Sequence, residues 1–97
     1  MTKYESIYII RTSIGEEAIA EKITKFNGIV ESNDGVVTAV DTDSLGMRKL
    51  AYAIDDETEG YFVLMTFEGN SELPGELERN FKIDENILHY LITKSGR

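Results

Sequence analysis

"LGMRKLAYAIDDETEGYFVLMTFE", residues 45–68, consists of two β-rich runs on either side of an acidic turn. In the second run Tyr61, Val63, Met65 and Phe67 alternate with Phe62, Leu64 and Thr66, the period of a strand that shows apolar groups on both faces. The turn DDETEG, residues 55–60, separates the runs closely enough for them to read as one hairpin. The first run also reaches further back. GVVTAVDT resumes β character from Gly35, and only the polar residues 41–44 intervene before Leu45. Gly46 marks a bulge or bend inside one long strand.

The flanks of this hairpin decide the fold. Upstream, KYESIYIIR (residues 3–11) is a strand, with Tyr4, Ser6, Tyr8 and Ile10 on one face and Glu5, Ile7, Ile9 and Arg11 on the other. Apolar groups on both faces predict a central strand. In GEEAIAEKITKFNGIVES (residues 15–32), Ala18, Ile19, Ile23, Phe26, Ile29 and Val30 recur at three- and four-residue steps, an amphipathic helix. Glu16 and Glu17 sit where the helix dipole favours anions, and SNDG at 32–35 stops the helix. Downstream, Leu73, Leu77 and Phe81 of SELPGELERNF predict a short second helix, with Ser71 as its cap and Pro74 in its first turn. ENILHYLITK (residues 85–94) closes the chain as a fourth strand, and residues 95–97 read as a frayed end.

Strand, helix, strand, strand, helix, strand is the split βαβ order. The expectation is an α+β, ferredoxin-like βαββαβ domain spanning residues 1–97, with a four-stranded antiparallel sheet in spatial order four, one, three, two. Right-handed crossovers place both helices on one face. Apolar residues directed the other way, among Phe62, Leu64, Leu88 and Tyr4, then face solvent until a partner covers them.

Composition narrows the function. The formal charge is -8, with 10 Lys plus Arg against 18 Asp plus Glu, so a generic nucleic-acid surface is excluded and any RNA contact must be local. With no Cys and a single histidine, His89, no metal site and no nucleophile relay can be assembled, and no cofactor or metal is expected. The carboxylates of residues 55–59 lack the spacing of a calcium loop, and no Gly-rich phosphate loop is present. The N-terminus has no signal-type apolar region, which reads as cytoplasmic. EGYFVLMTF (residues 59–67) is superficially similar to the aromatic third-strand motif of RNA-recognition domains. It has Glu59 at the basic position and Phe62 at the small one.

A closer resemblance runs nearly end to end. YESIYIIR (4–11), LGMRKLAYAI (45–54), GYFVLMTF (60–67), ELERNFKI (76–83) and ILHYLITK (87–94) resemble, in order and spacing, the bacterial ribosomal protein S six family. The resemblance implies a non-enzymatic constituent of the small ribosomal subunit, in the cytoplasm and monomeric when isolated. It further implies binding of the central domain of the small-subunit ribosomal RNA together with ribosomal protein S eighteen. Carried over residue by residue, it makes Lys3, Tyr4, His89 and Lys94 candidate RNA contacts and places Arg48 and Lys49 near the protein partner; with Phe62, Leu64 and Leu88 from the uncovered sheet face they make up the expected protein-partner interface. Leu50, Tyr52 and Ile54 fit packing positions. This chain departs from the family where Leu88 and His89 stand in place of one or two arginines, and where Thr2 precedes Lys3. Arg48 and Lys49 have a second reading as charges that protect a strand edge from aggregation. From the fold alone, a small regulatory ferredoxin-like module dimerising through its open sheet face is the alternative. An acylphosphatase-like enzyme fails because residues 12–15 offer neither a Gly-rich cradle nor an Asn.

Overall fold

The computed structural model describes residues 1–95; of the frayed end expected from the sequence, residues 96 and 97 lie outside the described residues. Four strands, β1 (Thr2–Arg11), β2 (Val36–Ile54), β3 (Glu57–Gly69) and β4 (Ile87–Lys94), form one antiparallel sheet in the order β2-β3-β1-β4. Helices α1 (Glu16–Ser32) and α2 (Leu73–Ile83) provide the two crossovers. This is the ferredoxin-like arrangement expected from the hairpin and its flanks, with β1 central.

Local signals explain where each element begins and ends. Gly15 precedes α1 at φ 92, and Glu16 and Glu17 occupy its first turn. At its end the Gly35 N–H donates to the Val30 carbonyl (2.9 Å), Asn33 Nδ2 donates to the Ile29 carbonyl (2.8 Å), and Asp34 reverses the chain at φ 65. The cap of α2 is Asn70 rather than Ser71. Its Oδ1 accepts the N–H groups of Glu72 (3.0 Å) and Leu73 (3.1 Å), one residue earlier than the hydroxyl favoured from the sequence.

The hairpin is tighter than the six-residue acidic turn implied. Asp55 and Asp56, at φ 49 and 66, make a two-residue turn with both central residues in the left-handed region, and β3 begins at Glu57. Arg11 fastens this turn to the sheet: Nη1 lies 3.2 Å from Glu57, and Nη2 lies 3.7 Å from Asp55 and 3.1 Å from the Glu85 carbonyl. Gly46, at φ 59, accompanies a register shift between Asp41 and Gly46, so β2 bends but continues as one strand.

The core lies between the helices and one sheet face. Tyr4, Ser6, Tyr8 and Ile10 of β1 and Val63, Met65 and Phe67 of β3 meet Ile19, Phe26 and Val30 of α1 and Leu73, Leu77 and Phe81 of α2. Rings continue across it: Tyr8 lies 5.2 Å from Phe26 and 4.9 Å from Phe81, and Phe81 stacks on Tyr90 at 5.3 Å. Burial among these rings pushes the Tyr8 phenol well above its ordinary range. One buried ion group ties the helices to β4. Asp84 accepts from Lys22 (2.8 Å), Lys25 (3.0 Å) and the Asn86 N–H (2.9 Å). Burial raises its carboxyl, but Lys22, the Asn86 N–H and Lys25 together outweigh that and hold it below the usual carboxylate range.

Two expectations are corrected by this packing. Tyr4 is not on the open face; it is 7% exposed and stacks on Phe67 at 5.4 Å, because its register partner Phe67 and its parity with Ser6 and Tyr8 direct it under the helices. Leu50 is half-buried rather than a core residue, and it packs beside Gly60 on the opposite side of the sheet.

Candidate functional site on the open face of the sheet

Strand parity builds this face. Opposed residues in antiparallel strands share a side, so the register places Ile7 with Leu64 and Leu91, and Ile9 with Phe62 and His89. Arg48 stands opposite Gly60 on this side, whereas Lys49, opposite Glu59, has the alternate parity. No helix covers these side chains. Ile7 is 39% exposed and Leu91 56%, while Phe62 and Leu64 are half-buried and Ile9 is buried between them. The centre of the face is therefore carbon, framed by polar groups.

Where the end of the hairpin lies over β1 and β3, the apolar surface becomes a groove of about 230 Å³, lined by Ile9, Leu50, Ile54 and Phe62 together with Tyr52, Lys49 and His89. Gly60 makes this possible. A Cβ there would overlap Ile9 Cγ2 and press on Leu50 Cδ2 at 3.4 Å, so only glycine lets the two side chains close over the backbone. Arg48 Nε donates to the Leu45 carbonyl (3.2 Å), which holds the stem of the guanidinium against its own strand.

The RNA-contact residues expected from the sequence do not form one cluster. Lys3 and Lys94 are both exposed at one end of the sheet, where the Ser95 N–H donates to the Lys3 carbonyl (2.8 Å), but they take opposite faces: Lys94 is the register partner of the helix-side Tyr4, and Lys3 that of Glu68. Tyr4 itself is buried. His89 is exposed on the open face, five residues along β4 from Lys94, roughly 16 Å at a strand's rise. Among the partner-interface residues, Phe62 and Leu64 are on the open face as expected. Leu88 is different: it falls at the register shift between the Ile9–His89 and Ile10–Ile87 pairs, as the extra residue of a β-bulge. Sequence reading missed Leu91 and did not single out Ile7 or Ile9. The signal was present, since Leu91 is two residues from His89 and takes the same side.

Among the described residues, no group of three His, Asp or Glu side chains is arranged to hold a metal ion, and no helix is long and apolar enough to cross a membrane. What the face offers is exposed and half-buried apolar area.

Comparisons with known proteins agree on one family. The model of the family "Ribosomal protein S6" matches residues 3–94. Small ribosomal subunit protein bS6 of Clostridium novyi is 44% identical over 92 residues, 95% of each chain, and that of Clostridium perfringens is 45% identical over 94 residues, 97% of each. The crystal structure of 30S ribosomal protein S6 from Thermotoga maritima superposes with a TM-score of 0.90 at 26% identity, covering 97% of this chain and 87% of that one.

Proposed function

Because this chain belongs to the ribosomal protein S6 family, a structural family of the small ribosomal subunit, we propose that it binds the central domain of the small-subunit ribosomal RNA cooperatively with ribosomal protein S eighteen. Its place is the ribosome, in the cytoplasm, and its family is not an enzyme family. The observation that carries the finer reading is the open sheet face: Ile7 and Leu91 exposed, Phe62 and Leu64 half-exposed, in a protein of charge -8. Uncovered carbon of this kind marks an interaction surface, and the acidic balance favours a basic protein over phosphate as what covers it.

RNA contact is then confined to the end of the sheet that carries Lys3 and Lys94, one cation on each face, with two cations available for phosphate. Neutralising so few charges gives weak binding and a shallow salt slope for the protein alone. The basic partner supplies the remaining positive charge, so the pair binds RNA better than either alone.

The test is binding to a central-domain RNA fragment with and without S eighteen, at two salt concentrations. The expected result is weak binding alone, strong binding of the pair, and a steeper salt slope for the pair. Tight binding without the partner, or a stable homodimer that excludes the partner, overturns the proposal.

A further inference from the structure

We infer that His89 belongs to the surface that closes on the protein partner rather than to the RNA contact, and that it makes the pairing sensitive to protonation. The inference rests on the pairing proposed above. Its basis is the groove that His89 shares with Ile9, Leu50, Ile54 and Phe62. At about 230 Å³ the groove is smaller than the roughly 300–1,000 Å³ of small-molecule sites, and it fits an apolar side chain carried on a protein segment.

Beside Lys49, Tyr52 and His89, the other five lining residues are hydrocarbon, and Lys94 lies roughly 16 Å away along β4. The groove also continues into the exposed Ile7 and Leu91 surface, so one protein partner can cover both. The net charge of -8 selects a basic segment as the occupant.

Closure of such a segment over His89 disfavours its cation for two reasons. The imidazolium loses water to an apolar surface, and it meets positive charge from the partner itself. Strand parity places these charged residues on the same side. From β1 these are Lys3, Glu5 and Arg11, the last bound to Asp55 and Glu57. From β2 they are Asp41 and Arg48, and from β3 Glu68, whereas Glu59 and its opposite Lys49 have the alternate parity. Binding therefore releases a proton, and affinity falls as pH drops.

Affinity for S eighteen, measured at pH 7.5 and 5.5 with wild type, His89→Leu, His89→Gln and His89→Arg, tests this directly. Wild type should bind about tenfold more weakly at pH 5.5 than at pH 7.5, the loss expected when binding releases up to one proton. His89→Leu and His89→Gln should show little pH dependence, and His89→Arg should bind weakly at both values. Thermal melts confirm that each variant is folded. Binding that strengthens on acidification, or a defect of His89→Leu seen toward RNA and not toward S eighteen, assigns His89 to phosphate and overturns the inference. An unchanged pH dependence in His89→Leu also overturns it, while the pairing itself stands. No binding by any variant at either pH overturns the pairing and the inference with it.

Discussion

The two faces of the sheet are built from alternate residues of the same strands, yet they have opposite fates. Toward the helices, Tyr8, Ile10, Val63, Met65 and Phe67 are fully buried. On the other side, Ile7 and Leu91 are 39% and 56% exposed although they are as apolar as their neighbours. Two short helices can cover only one face. A sequence that writes apolar residues on both faces of its central strands, with helix enough for one, therefore leaves an uncovered apolar face beside its core, the face proposed as an interface.

The largest difference between the faces should appear on truncation. Phe67→Ala, in the fully buried face, should cost about 3–5 kcal/mol in denaturant unfolding. Leu50→Ala, half-buried on the open face, should cost about 1 kcal/mol. Equal losses would erase the distinction.

Next in size is the ion group at Asp84, which belongs to the helix side. Asp84→Asn leaves Lys22 and Lys25 without their shared carboxylate and should cost about 1–3 kcal/mol near neutral pH. The sign of its pH dependence follows from the lowered carboxyl. Its contribution is present above the unfolded carboxylate range and is lost as pH falls through the lowered folded value. Unfolding measured from pH 6 to pH 2 should thus fall more steeply for wild type than for Asp84→Asn.

The smallest effect on stability belongs to the hairpin cations. Arg48→Glu with Lys49→Glu should change folding by about 0.5 kcal/mol or less, because both are exposed. Association with S eighteen should respond in rate and salt dependence. Weakened association assigns the cations to partner carboxylates or RNA phosphates. Unchanged association, with self-association once both are made apolar, leaves edge protection as their role.

Much of this comparison is legible in the sequence. Three- and four-residue spacing in α1 and α2 and the alternation in β1 and β3 are strong periodic signals, and they predict the sheet order as well as its covered side. What escapes is set by single-residue geometry. The bulge at Leu88 shifts the parity of β4, so counting along the strand puts Leu88 on the open face and overlooks Leu91. The two-residue turn rests on Asp55 and Asp56 accepting positive φ, with no glycine to announce it. The groove joins Ile9, Leu50, Phe62 and His89 from four strands through Gly60, a close approach that no linear pattern displays.

The central claim is that the open face is a partner surface, and the double variant Ile7→Ser with Leu91→Ser tests it most directly. Both side chains are exposed in the free protein, so the variant should fold with a loss under about 1 kcal/mol. Cooperative binding of the central-domain RNA with S eighteen should fall at least tenfold, as expected when about 1.4 kcal/mol of buried apolar contact is lost. A folded double variant that assembles as well as wild type would contradict the account.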